Sequence, residues 1–351
     1  MTLKTALMKL NAFLRSLAMA NDLDVYFDDN YGKLYEKVEN GKAEIFNFSC
    51  KFGIIKNQFI KREIPININN EIYYDIVTPY GYGGPVIIEC EENKKNELLL
   101  EYTKAFSHYC EENNIISEFI RFHPIIKNAE DFTSVYDVNC IRKTLGTNLK
   151  DFEDPVQMEF SKSRRKNIRK ALNEGVSFEI IEKPSNIREF KKIYYSTMDR
   201  NNATDYYYFD DEYFDKTLSL FRDNIIIVSA IYDGKTIAQG FYFVFDKMIH
   251  AHLSGTLSEY LYLSPAYILK YATVLWGKEK GYELIHYGGG KTSSEEDPLY
   301  KFKKSFAKNT YFDYSIGKKI WNKKVFSMLC KNVGVDEDSD VFPAYRNLKG
   351  E

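Results

Sequence analysis

The run Tyr287-Gly288-Gly289-Gly290 leads through an acidic loop, 293–298, into Phe302-Lys303-Lys304-Ser305-Phe306. Gly288, Gly289 and Gly290 form backbone without side chains, so a substrate can approach it closely, and such a run costs backbone entropy that an ordinary turn does not require. The lysine-rich segment, anchored by two phenylalanines, sets a cation beside that backbone. A cation there can meet developing negative charge, and Lys303 is the first choice for that role. The competing reading is a solvated lysine, since Lys301, Lys304 and Lys308 lie close by.

His250, His252 and Ser254 alternate along one expected strand and so share a face, with His286 on the strand beside it. Three histidines suggest a metal, but no His-Glu pair or nearby carboxylate completes a ligand set, so no metal is expected. His252 is the candidate general base, because imidazole titrates near neutral pH. An attacking amine can instead lose its proton to substrate or water.

These residues need elements to hold them. In the first half, 43–50, 52–59, 71–78, 117–122 and 135–144 read as strands rich in Ile, Phe and Tyr, and 96–112 as a helix with an apolar stripe. Between them, Pro79-Tyr80-Gly81-Tyr82-Gly83-Gly84-Pro85 can be neither helix nor strand interior. Tyr82 could stack a sugar or base there, or the loop could be a tight structural crossing. A charged helix over 153–174 ends at Gly175. Its Lys162, Arg164, Arg165, Lys166, Arg169 and Lys170 could meet RNA phosphates, but Glu153, Asp154, Glu159 and Glu174 balance them and favour a solvated face. Beyond it come strands at 177–182, 225–232, 236–245, 248–254, 283–287 and 311–316. Helices are expected at 186–199, 210–221, 264–280 and 319–332. Three meandering strands, a helix and a further strand make a mixed sheet whose parallel pair can splay into a cleft.

With 351 residues the chain is long enough for two domains, and 44% hydrophobic and 28% charged residues fit a globular fold. The net charge of −2, from 48 basic and 50 acidic residues, leaves nucleic-acid affinity to local patches. Five scattered cysteines without a close pair point to buried thiols in a reducing compartment and a cytoplasmic location. The N-terminal segment, 1–22, reads as an amphipathic helix, and no run of about 18 apolar residues predicts a membrane span.

The element order resembles the GNAT N-acetyltransferase fold. Tyr73 through Pro85, the helix from Arg164 to Gly175, Leu263-Ser264-Pro265-Ala266, the strand into Gly288-Gly289-Gly290, and Phe302-Lys303 resemble the FemAB-like acyltransferases from about Val25 to Asn332. The resemblance implies an α+β (mixed α/β) fold. Two GNAT-like domains stand in tandem, each a mixed, mostly antiparallel sheet flanked by helices. They would span 1–150 and 151–317, the second carrying the active cleft, with a C-terminal helix and tail, 318–351, packing back on the first. No long heptad segment appears, so the chain resembles the arm-less members. Its expanded 79–85 loop departs from the typical first domain and puts a peptidoglycan substrate in question. By resemblance, Phe302 and Lys303 are the family's Phe-Lys pair, and Arg200 takes the place of an arginine facing a substrate phosphate, which a guanidinium fork fits. An arginine ending a helix also has an ordinary electrostatic reason to be there.

The implied activity is transfer of an aminoacyl group from aminoacyl-tRNA, or of an acyl group, to an amine of a cell-wall or surface-glycan precursor that is nucleotide-linked or lipid-linked. Substrate contacts fall to Arg200, Phe302, the three glycines, Tyr82 and Ser254, with no tightly bound cofactor. One alternative is an acyl-CoA-dependent N-acyltransferase acting on an amino-sugar nucleotide. Leu261, Tyr262 and Leu263 stand where the glycines of a CoA-pyrophosphate loop belong, which counts against CoA. The other alternative is a non-catalytic GNAT-like binding protein.

Overall fold

A computed structural model describes residues 23–68 and 70–347. The helix expected over 1–22 lies outside the described residues. In chain order the elements are β1 (Gly41–Cys50), β2 (Gly53–Glu63), β3 (Tyr74–Val77), β4 (Val86–Cys90), α1 (Lys95–Glu112), β5 (Ile115–Arg121) and β6 (Asp137–Asn148). They continue with α2 (Pro155–Glu159), α3 (Lys162–Asn173), β7 (Ser177–Glu182), α4 (Arg188–Arg200), α5 (Asp211–Phe221), β8 (Ile225–Tyr232), β9 (Lys235–Phe245) and β10 (Met248–Thr256). Last come α6 (Pro265–Glu279), β11 (Leu284–Gly288), α7 (Pro298–Lys304), β12 (Tyr311–Ile320) and α8 (Lys323–Val333). No described helix is long and apolar enough to cross a membrane.

The chain forms two compact units, Met1–Ile141 with Tyr314–Glu351, and Arg142–Asp313. The sequence reading sets these boundaries at 150 and 317. In the first unit the strand order is β1-β2-β3-β5-β12, with β4 on β2. β3 and β5 run parallel on either side of α1 in the chain, and their neighbours pair antiparallel. The helix lies on this sheet because Leu98, Leu99, Tyr102, Phe106 and Cys110 recur on one face and bury against Ile55, Phe59, Ile76 and Ile120. α8 joins the same unit by packing Val325, Phe326 and Leu329 on Ile64, Tyr73 and Ile116.

The second unit repeats the plan with order β6-β11-β10-β9-β8-β7, where β10 and β11 are the parallel pair flanking α6. α6 covers one face through Ile268, Leu269 and Ala272, packed on Tyr242, Ile249, Ile285 and Tyr287. α4 and α5 cover the other, where Phe190 meets Phe214 and Phe241. Each unit is thus a mixed, mostly antiparallel sheet with helices on it.

Three local expectations need correction. The helix over 153–174 is two helices, because Phe160 is extended (ψ 137) and buried, and Ser161 caps α3 by accepting from the Arg164 amide at 3.4 Å. The lysine-rich stretch after Asp297 is helix α7, started by Pro298 at its first position. The cysteines form no disulfide among the described residues, yet only Cys110 and Cys330 are buried, while Cys90 and Cys140 are exposed.

Glu118 in β5 is 2% exposed and accepts from Asn57 Nδ2 (2.9 Å) and Trp321 Nε1 (3.1 Å). Burial pushes its carboxyl up to about 7, against the pull of those hydrogen bonds. A carboxyl raised above its unfolded value, about 4.3, is stabilised while protonated, and that contribution is lost as pH rises through 7. Glu118→Gln removes the titration. We therefore expect its melting temperature to gain on wild type between pH 5 and pH 8, by the equivalent of roughly 1–3 kcal/mol. A constant offset across that range contradicts the assignment.

Candidate active site

β10 and β11 share three residue pairs, Met248↔Leu284, Ile249↔Ile285 and His250↔His286. Past His250, β10 continues to Thr256 paired with β9 alone among the described residues. Two irregularities open the strands. His252 is the extra residue of a β-bulge against β9, and Tyr287 sits at a register shift against β6. Bulges bend and twist a strand, which lets it leave its neighbour. Gly288 then turns the chain with φ 72, a value that favours glycine.

The bulge also overturns the expected common face of His250, His252 and Ser254. His250 pairs with Phe243 and Leu253 with Phe241, so the extra residue moves Leu253 onto the histidine face and Ser254 onto the opposite one. His252 lies under α5, its Nε2 2.7 Å from the Tyr213 hydroxyl and its ring beside Phe241 and Phe243. Burial, and then His250, hold its pKa down at about 3, so it stays neutral. Ser254 is exposed on the face that α6 covers.

Lys303 stands at the end of β11, with Nζ donating to the Gly289 carbonyl at 2.6 Å. It is half-buried. Desolvation, then Arg142, lower its pKa to about 8, while Asp297 acts in the opposite direction. Arg142 donates to the carbonyls of Gly290 (3.0 Å) and Lys291 (3.2 Å). The glycines divide the work. Gly288 supplies the left-handed turn, and a Cβ on Gly290 would lie 2.8 Å from the Asp297 carboxylate. Asp297 therefore fills the space beside Gly290 that the sequence leaves open to substrate. It caps α7 at Tyr300 N (2.9 Å) and holds the amides of Lys291 and Thr292 at 3.0 Å each. The Tyr300 amide is the first of the bonds that keep it ionised.

Sequence reasoning missed Lys270. It projects from α6, is 9% exposed, and lies 4.3 Å from the ring centre of Tyr287 and 5.6 Å from that of Tyr242. Burial, and next the charge of Lys303, drop its pKa to about 7. A lysine within an otherwise apolar helix face was the available signal.

Helix α7 is held from outside. Arg164 of α3 donates to Ser305 Oγ (2.9 Å) and Tyr267 OH (2.8 Å), and its guanidinium covers the Tyr267 ring at 4.6 Å. Phe302 packs against Tyr267 and Phe306, so it anchors the helix that carries Lys303. Lys162, Lys166, Arg169 and Lys170 of the same basic helix are exposed.

Arg200 donates to the Thr256 carbonyl (2.8 Å), Thr256 Oγ1 (2.9 Å) and Ser258 Oγ (2.9 Å), tying α4 to the end of β10. Tyr82 belongs to the first unit, where its ring sits edge-on to Tyr26, His123 and Tyr314. The second unit thus brings together Lys303, Lys270, Gly289 and Arg142. His252 lies on the other face, and Arg200 is occupied at the far end of β10.

Residues 159–304 match the family described as acetyltransferase (GNAT) domain. Over 189 residues the chain is 25% identical to a UDP-N-acetylmuramoylpentapeptide-lysine N(6)-alanyltransferase of Weissella viridescens, a match covering 53% of this chain and 54% of that one. The chain therefore spans about half the length of this curated relative. The crystal structure of FemX superposes with a TM-score of 0.65 at 11% identity, over 85% of this chain and 92% of that one. The C-terminal domain of a putative lysylphosphatidylglycerol synthetase from Agrobacterium fabrum follows at 0.54 and 13%, over 92% and 96%. At these identities the two structures establish the fold.

Gly290→Ala should push Asp297 from its place and loosen α7. We expect a loss of roughly 1–3 kcal/mol in thermal or urea unfolding. Gly289→Ala, whose Cβ meets nothing nearer than 3.2 Å, should cost less. Equal losses would show that Asp297 does not depend on the glycine.

Proposed function

We propose that this chain, a FemAB-like protein of GNAT fold, is an acyltransferase that moves an aminoacyl group from aminoacyl-tRNA to an amine of a cell-wall or surface-glycan precursor. The observation that carries the reading is the Lys303 ammonium at the mouth of the parted strands. One of its three N–H donors goes to Gly289, and the others can meet an oxyanion. As the amine attacks the ester carbonyl, a C–N bond forms and charge gathers on the carbonyl oxygen. Lys303 stabilises that charge in a half-buried site, where the effect exceeds that in water. The C–O bond then breaks and the ribose hydroxyl leaves.

Support for a donor carried on RNA comes from Tyr311. Its ring is 51% exposed, with Lys143 Nζ at 4.6 Å and Lys304 Nζ at 5.2 Å from its centre. The ring edges a cavity of about 510 Å³ that Tyr300, Lys301 and Ser305 also line. Glu295 and Glu296 line the same cavity, so the support lies in the exposed ring and its two flanking lysines, which suit a stacked base and an adjacent phosphate. For CoA, the turn before α6 offers exposed Leu261 and Tyr262, then Ser264 at φ 53 and Pro265, which has no N–H. That turn is a poor pyrophosphate cradle. The acceptor class rests on the name of the Weissella relative, whose substrate is a wall-precursor lysine amine.

The test is alanyl-tRNA with a UDP-N-acetylmuramoyl pentapeptide, with product read by mass spectrometry and acetyl-CoA thiol release measured in parallel. We expect alanyl transfer, and Lys303→Met should lower kcat about 10²–10³-fold with an unchanged melting temperature. Full activity of that variant, or turnover of acetyl-CoA with none of charged tRNA, overturns the reading.

A further inference from the structure

Lys270 shares its helix face with Thr273 and Gly277, both buried. An ammonium so enclosed is costly unless an anion meets it. Among the described residues none does. Its partners are the faces of Tyr287 and Tyr242, and the charge acting on it is the cation of Lys303. The two phenols supply no anion, since burial lifts Tyr242 to about 12 and Tyr287 higher still. Tyr287 is bonded to Thr147 Oγ1 at 2.7 Å. Glu159, which acts on Tyr287, is committed to Asn309 N at 2.8 Å and to Thr310. Asp297 is bound by its own loop.

The two lysines differ in what holds their protons. Lys303 donates to a carbonyl and has Asp297 in its field. Lys270 has aromatic faces alone. We propose that Lys270 is the proton acceptor for the attacking amine, working unprotonated beside a protonated Lys303. The inference rests on the acyl-transfer reading above. A desolvated lysine beside another cation readily gives up its proton, in line with its pKa of about 7.

The proton account closes. The acceptor arrives as an ammonium and gives one proton to Lys270 Nζ. The freed amine attacks the ester carbon, the C–N bond forms, and the C–O bond breaks. The proton shed as the nitrogen becomes an amide goes to the leaving ribose oxygen. Lys270 returns its proton to solvent, so one proton is released per turnover.

The experiment has two arms on the full chain. Lysine labelled with ¹³C at Cε reports each ammonium's titration by NMR, with Lys270→Met assigning the resonance. We expect Lys270 to titrate near neutrality, well below the ordinary lysine range, and Lys303→Met to move it upward. In the second arm, Lys270→Met should lower kcat for alanyl transfer to the pentapeptide about 10²–10⁴-fold and remove the inflection near neutral pH, and Lys270→Arg should not restore it. Lys270 titrating with the exposed lysines, or an inflection retained in Lys270→Met, overturns the proposal. A wild-type protein that transfers nothing while Lys270 titrates near neutrality overturns the acyl-transfer reading itself, and the base role with it.

Discussion

The parallel ladder between β10 and β11 stops after three residue pairs, and the proposed site of the second unit depends on that stop. Continued pairing would seal the sheet as far as Thr256. The bulge at His252 bends β10, and Gly288 turns the chain at the end of β11. Among the described residues the far half of β10 has β9 as its one strand partner, and a lysine from α6 and a lysine from α7 converge on the end of β11. The first unit has the same pattern but closes it. There the 79–85 loop carries Gly83 into a parallel bridge with Phe122, and Asn128 Nδ2 holds the carbonyls of Gly83 (2.8 Å) and Pro85 (2.9 Å). One plan therefore gives an opening in one unit and a plugged sheet in the other.

Several cations gather at the opening. Arg142 and Lys303 bind the carbonyls of Gly290 and Gly289, and Lys270 lies against Tyr287 in the field of Lys303, while Asp297 caps α7 and holds two amides. Arg142 lowers the proton affinity of Lys303, and Lys303 that of Lys270, and such neighbouring cations favour an incoming anion or a developing oxyanion. Such a site is stable because the fold supplies other partners: a carbonyl for Lys303 and two aromatic faces for Lys270.

Precision comes from a clamp remote from the opening. α7 is two turns long and has little stability of its own. Asp297 fixes its start, and Arg164 fixes its end through Ser305 and Tyr267, with Phe302 partly buried and Phe306 fully buried beside them. The basic helix α3 thus contributes one residue to positioning, while its remaining exposed cations face solvent.

Periodicity and turn chemistry made most of the fold legible from the sequence. The apolar stripe of 96–112 and the helix stop at Gly175 each have a local cause, and the FemAB-like resemblance and tandem mixed-sheet architecture agree with the comparisons. Lys303 could be singled out from the sequence because its motif is contiguous, and its role is the proposal above. Lys270 was not, because its burial and its approach to Lys303 depend on how α6 lies across β9 and β11, at a separation no local pattern encodes. Nor could alternation reveal that a bulge at His252 sends Ser254 to the opposite face, or that Gly290 makes room for Asp297. Residue types and spacing determined the elements and placed one lysine beside the glycine run. Only tertiary packing decided which charges are buried together, since desolvation and Coulomb coupling act between side chains distant in the chain and adjacent in space.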